Sequence, residues 1–178
     1  NDPHFAQFRE QVLQQYQVET VEELPVNWRG LMMTEGERLT SVAFQTQYDE
    51  LHQLFDQQDR LRNSLAWMSP YALTALLSSR LAGTDAGNVA AFERQAEAFR
   101  YDLIQKLNHH HTHDIKFHND REQKLNQQTW LDFSGFEFEP QSLATNLRQG
   151  SMMFLPLLPW LVFLYCFGSR SRVARSLI

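Results

Sequence analysis

The sequence holds one cysteine, Cys166, and only seven glycines and six prolines. A lone cysteine excludes an intrachain disulfide, so the fold must rest on its core alone. Cys166 sits inside an apolar run, where a thiol has no aqueous base to make it a nucleophile. Neither a Gly-x-Ser-x-Gly elbow nor a glycine-rich phosphate loop is present, so the chain does not itself bind ATP in the usual way. There is no basic stripe interleaved with stacking aromatics, and the net charge is −5, which argues against a nucleic-acid partner. Carboxylate pairs occur, Glu35 with Glu37 and Glu137 with Glu139, but they read as helix-start and exposed-face residues rather than an acid–base pair. The sequence therefore points to no enzyme, with no catalytic, cofactor-binding or metal site.

Charge is also missing from one long stretch. Gln149 to Ser169 carries none, and Met152 to Gly168 is almost continuously apolar. Those 21 positions would extend about 32 Å as a helix, enough for a bilayer core. A soluble core helix normally keeps a polar stripe, and this run shows none. The sequence thus predicts one C-terminal transmembrane helix over 149–169. No acidic residue follows Glu139, and Arg170, Arg172 and Arg175 come directly after the run. Before it, thirteen basic residues stand against twenty-one acidic ones, a net charge of −8 over residues 1–150. Basic residues beside a span stay on the cytoplasmic side, so residues 170–178 read as a cytoplasmic tail and 1–148 as an extracytoplasmic domain at the plasma (inner) membrane. Nothing ahead of the acidic domain resembles a signal segment, so the expectation is the C-terminal piece of a longer, multi-pass membrane protein.

Within 1–148, helix signals dominate. Asp2–Pro3 reads as an N-cap and first-turn pair, with Phe5, Phe8, Val12 and Tyr16 on one face. Thr20 to Glu23 forms a capping box, and Leu24 to Leu31 reads as an irregular link. Thr34 to Glu37 looks like a second box opening a helix to about Met68, whose stripe is Leu51, Leu54, Phe55, Leu61, Leu65 and Met68. Ser69–Pro70 starts another helix that Gly83 stops, and Thr84–Asp85 caps a third. In that third helix Val89, Phe92, Ala96, Phe99, Leu103 and Leu107 recur every three or four residues. Phe136 to Glu139 alternates like a short strand, and Pro140 reads as the start of an interfacial helix. The expected fold is mainly α, a helical hairpin or bundle with minor β. Pro156 and Pro159 within the apolar run imply either a kinked, packed span or residues of its first turns.

His109, His110, His111, His113 and His118, with Asp114 and Asp120, form the sharpest local oddity. Imidazole and carboxylate suit zinc, nickel or copper, and on a continuing helix His109 and His113, or His110 and Asp114, stand one turn apart. No further motif completes a recognisable site, and histidines also suit a helix C-terminus electrostatically.

The stretches Leu24–Pro–Val–Asn–Trp–Arg–Gly–Leu31, Met68–Ser–Pro–Tyr–Ala–Leu73 and Leu77–Ser–Ser–Arg–Leu–Ala–Gly–Thr–Asp85 resemble the C-terminal part of bacterial type-2 class ABC exporter permeases. The likeness continues through Phe92, Ala96 to Arg100, Leu107–Asn108 and Phe136 to Pro140, and covers most of residues 20–168. It implies a permease subunit with a large extracytoplasmic domain, paired with a separate ATPase subunit and a second permease subunit in the lipid bilayer. It implies no catalytic residues and gives the histidines no role. The alternative is a membrane-anchored extracytoplasmic interaction or sensor module without an ATPase partner.

Overall fold

A computed structural model describes residues 2–124, 127–131, 133, 135–151 and 154–175. Seven α-helices occur among them: α1 Pro3–Tyr16, α2 Trp28–Ala66, α3 Pro70–Leu81, α4 Ala86–Asp114, α5 Gln127–Leu131, α6 Leu143–Gly150 and α7 Leu157–Arg175. Single 3-10 turns lie at Val21–Glu23 and Phe117–Asn119. The fold is mainly α. No strand forms among the described residues. Residues 136–139, which read as a short strand, form no regular element and lie on α4 side chains.

The chain divides into two compact units, Asn1–Asp49 with Ala96–Glu137, and Glu50–Gln95 with Phe138–Ile178. In the first unit, Asp2 caps α1 by accepting from the His4 N–H at 2.9 Å, with Pro3 at the first helical position. Val12 is buried, Phe5, Phe8 and Tyr16 are half-buried, and Phe8 stacks on the buried Trp28 at 5.9 Å. The Glu23 carboxylate accepts from the backbone of Glu19 and Thr20 at 3.1 and 3.4 Å, completing the expected short turn.

The expectation for α2 is corrected. The helix opens at Trp28, within what read as a link, and Thr34 lies inside it with its hydroxyl donated to Gly30 O at 2.9 Å. Asn27 provides the cap: its Oδ1 accepts from Arg29 N at 2.9 Å, while its own N–H donates to Thr112 O at 2.8 Å and its Nδ2 to Ile115 O at 3.2 Å. Gly30 makes this possible, because a Cβ there would stand 2.6 Å from Thr112 N. Arg29 completes the corner, donating to both Asp120 oxygens at 2.9 Å and lying over the Phe117 ring. Farther along the same unit, Arg100 on α4 joins Glu97 and, from α2, Glu37, each at 2.7 Å. Phe136 packs on Phe99 at 5.5 Å.

In the second unit the α3–α4 corner forms as its residues predict. Ser69 Oγ accepts from Ala72 N at 3.4 Å and Pro70 begins α3. Gly83 takes φ 68°, where a side chain would be strained. Thr84 N donates to Ser79 O at 2.9 Å and Gly83 N to Arg80 O at 3.1 Å, closing the last carbonyls of α3. Asp85 then caps α4, accepting from Asn88 N. Leu73 and Leu77 are buried where α3 packs on α6 and α7. The α2 stripe is not a buried face: Leu51, Leu54, Phe55, Leu61, Leu65 and Met68 are exposed. Helical spacing alone does not say whether a partner covers the stripe. Phe138 meets Phe92 edge-on at 5.3 Å, and the Gln95 side chain bonds both the N–H and the C=O of Glu139.

The apolar run does not form one helix over 149–169. α6, capped by Ser142 rather than begun at Pro140, ends at Gly150, and α7 starts after a turn. Pro156 directly precedes α7 and Pro159 is its third residue, positions where a missing N–H costs no helical hydrogen bond. α7 then continues to Arg175, through part of what read as a tail. Among the described residues, no helix is long and apolar enough to cross a membrane. Met152 and Met153 lie outside them.

Candidate functional site

One concave feature lies wholly in the second unit. It is a cleft of about 920 Å³ between the α2 segment from His52 to Asn63 and the α4 segment from Ala86 to Arg94. Arg80, Thr84 and Asp85 of the α3–α4 corner also line it. The corner is rigid for a sequence reason: Gly83 reverses the chain and Asp85 fixes the start of α4. Arg80 Nε reaches Asp85 Oδ2 at 3.4 Å, so the cap is held from both sides. His52 Nε2 stands 3.5 Å from Glu93 Oε2 across the cleft, and Asp59 pairs with Arg62 at 3.1 Å. Phe55, Val89 and Ala90 supply apolar wall.

Guanidinium, carboxylate, imidazole and amide groups are thus interleaved along the cleft. The sequence picked out Gly83, Thr84 and Asp85 as corner residues. It did not pick out His52, Asn63 or Arg94, which only the pairing of α2 with α4 brings to the same place.

The histidine cluster falls in the first unit, on the last turns of α4, which continues as far as Asp114. His110 Nδ1 lies 2.6 Å from Asp114 Oδ2, and the His109 and His113 rings are 4.4 Å apart, the one-turn pairs that the spacing predicts. His111 Nε2 is buried without a hydrogen-bond partner, 3.8 Å from Asp120 Oδ2, whose oxygens are already taken by Arg29. His118 is exposed. No group of three or more His, Cys, Asp or Glu side chains is placed to hold a metal ion among the described residues.

The carboxylates that read as helix-start residues are instead structural anchors within α2. Arg38 donates to Glu35 at 2.8 and 2.7 Å. These bonds, with the His4 ring 2.8 Å away, outweigh partial burial and lower the Glu35 carboxyl to about 2. Glu97 is likewise lowered by its bonds from Arg100, and Arg100 is raised in return by Glu97 and Glu37. Cys166 is exposed on α7.

The family model described as Domain of unknown function (DUF3526) matches residues 1–139, out of 178. The chain belongs to the DUF3526 family. No curated protein and no solved structure matches this chain. The DUF3526 match takes in both walls of the cleft, the histidine cluster and the Asn27–Gly30 corner, and ends before the uncharged run.

Proposed function

We propose that this chain is the extracytoplasmic domain and last membrane segment of an ABC exporter permease subunit. ATP is hydrolysed by a separate partner subunit, and a second permease subunit completes the transporter. The reading is supported by the motif resemblance over residues 20–168 and by the helical architecture in which those motifs form the corners. The observation that carries it is the state of α7. Leu161, Val162, Phe163, Leu164, Tyr165 and Phe167 are each more than half exposed, although they follow one another around every face of the helix. An apolar helix without a polar stripe is stable inside a core or in a bilayer, and these side chains are not in a core.

The uncharged part of α7, Leu157 to Ser169, is 13 residues. That is about 20 Å against a hydrocarbon thickness near 30 Å, so the crossing must also use the residues before the helix. The DUF3526 domain caps or extends the exit side of the pathway, and its charged cleft offers an envelope partner a docking place. Arg170, Arg172 and Arg175 after the apolar run support an orientation with the C-terminus on the cytoplasmic side.

The test is purification of the full-length parent protein from its native membrane in mild detergent, with mass spectrometry of what remains bound. A stoichiometric ABC ATPase, active in the complex, is the expected result. A clean preparation without one would instead favour a membrane-anchored interaction or sensor module.

A further inference from the structure

The second unit carries another uncharged segment. Between Arg62 and Arg80 no residue is charged, a stretch of 17 residues that spans the end of α2, the Trp67–Ser69 turn and most of α3. One face of α3 is buried through Leu73 and Leu77 against α6 and α7. The other side of this segment is open, and the corner is its most exposed part: Trp67 is 58 %, Met68 75 % and Tyr71 81 % exposed. Side chains of that size and apolarity at a helix corner need a covering surface.

The corner joins α7 directly. Trp160 Nε1, on the first turn of α7, donates to Trp67 O at 3.1 Å. That bond satisfies a carbonyl at the C-terminus of α2 that would otherwise look to water. Three hydroxyls of the segment donate within their own helices, Ser64 to Arg60 O at 2.8 Å and Thr74 and Ser79 to Tyr71 O and Leu76 O at 2.9 Å. An uncharged surface with Trp and Tyr exposed at its corner matches the headgroup–acyl boundary of a bilayer. The exposed Trp67, Met68 and Tyr71 adjoin the apolar α7 directly, a continuity that favours lipid over a protein partner.

We propose that the α2–α3 corner, through Trp67, Met68 and Tyr71, inserts into the lipid interface beside α7. The proposal rests on the reading that α7 is a membrane segment, and it gives the domain a second lipid contact made by its own fold. The corner fixes how deeply the Trp160 end of α7 sits, because the two are hydrogen-bonded to each other. It is a shallow contact: the segment ends at Arg62 and Arg80, which lie in the ion pairs Arg62–Asp59 and Arg80–Asp85.

The experiment uses the full chain in phosphatidylcholine vesicles with and without acyl-brominated lipid. Cys166→Ser is combined with Met68→Cys, Tyr71→Cys, Leu161→Cys or Gln58→Cys, each labelled with an environment-sensitive fluorophore. All four positions are exposed, so the labels leave the core intact. Blue-shifted emission quenched by brominated lipid at 68, 71 and 161, with 58 unchanged, is the expected result. Quenching at 161 with water-like emission at 68 and 71 would overturn the corner contact and leave the α7 reading standing. A blue shift at 68 without lipid quenching would identify a protein occupant, and also overturns it. Water-like emission at all positions would remove the membrane reading and this proposal with it.

Discussion

Gly30 on α2 meets Thr112 on α4 at backbone contact: a Cβ on Gly30 would stand 2.6 Å from Thr112 N and 2.7 Å from its Cα. Real Cβ atoms do not come that close, and the obstacle is backbone, which cannot swing aside. The buried Thr112 hydroxyl, bonded to Asn108 O at 2.7 Å, is held in place as well. Gly30→Ala is therefore expected to cost about 1–3 kcal/mol or more, despite alanine's better helix propensity. Gly135, with nothing within 4 Å of its Cβ position, is the control. Thermal melts of the two variants should differ by several degrees, and equal melts would remove the close approach.

Gly83 tests the corner of the second unit. Its φ of 68° is accessible to glycine without strain and is poor for a β-branched residue. Gly83→Val should lower stability by about 1–2 kcal/mol, and Gly83→Asn by less, because asparagine tolerates the left-handed region. Chemical denaturation of both variants measures the order directly.

The Glu35 carboxyl, lowered from the ordinary 4.5 to about 2, makes an acid-sensitive contribution. A depressed folded pKa stabilises the protein above the unfolded value and stops doing so as pH falls through the folded one. Glu35→Gln should thus be less stable than the parent at neutral pH. The gap should close between about pH 4.5 and pH 2, the window set by that shift. The pair is partly exposed, so the gap is small and shrinks with salt. A gap that stays constant with pH would show that Glu35 contributes packing rather than charge.

Trp160→Phe keeps an aromatic side chain, though a smaller one, and removes the donor to Trp67 O. The expected cost is about 1 kcal/mol, larger if the freed carbonyl finds no water. Melting in detergent with circular dichroism reads it. An unchanged melt would show that the bond contributes nothing to holding α7 on the corner.

Local chemistry made several of these elements legible from the sequence. Asp2, Ser69, Gly83 and Asp85 each act within a few residues of themselves, through caps and a left-handed turn, and each stands where its residue type predicts. Thr34 was misleading because a capping box means a helix start only if the chain upstream is not already helical. What makes it helical is remote in sequence, the docking of Asn27 and Gly30 on residues 112 and 115. The exposed α2 stripe and the break between α6 and α7 fail for a related reason. Spacing gives a face but not its cover, and an uncharged run conceals a turn that Gly150 and Pro156 mark only in retrospect. The cleft was half legible, through the corner, and the α2 wall facing it was not.

Asn27 ties the beginning of α2 to the end of α4: it donates two hydrogen bonds, to Thr112 O and Ile115 O, while its Oδ1 accepts from Arg29 N in the first turn of α2. Helix ends ordinarily fray independently, each losing its terminal amides to solvent first. Here neither end can open without breaking the other's contacts, so the first amides of α2 and those of the final α4 turn should exchange with deuterium together. Two helix termini, normally the most labile parts of a domain, become a single cooperative clasp.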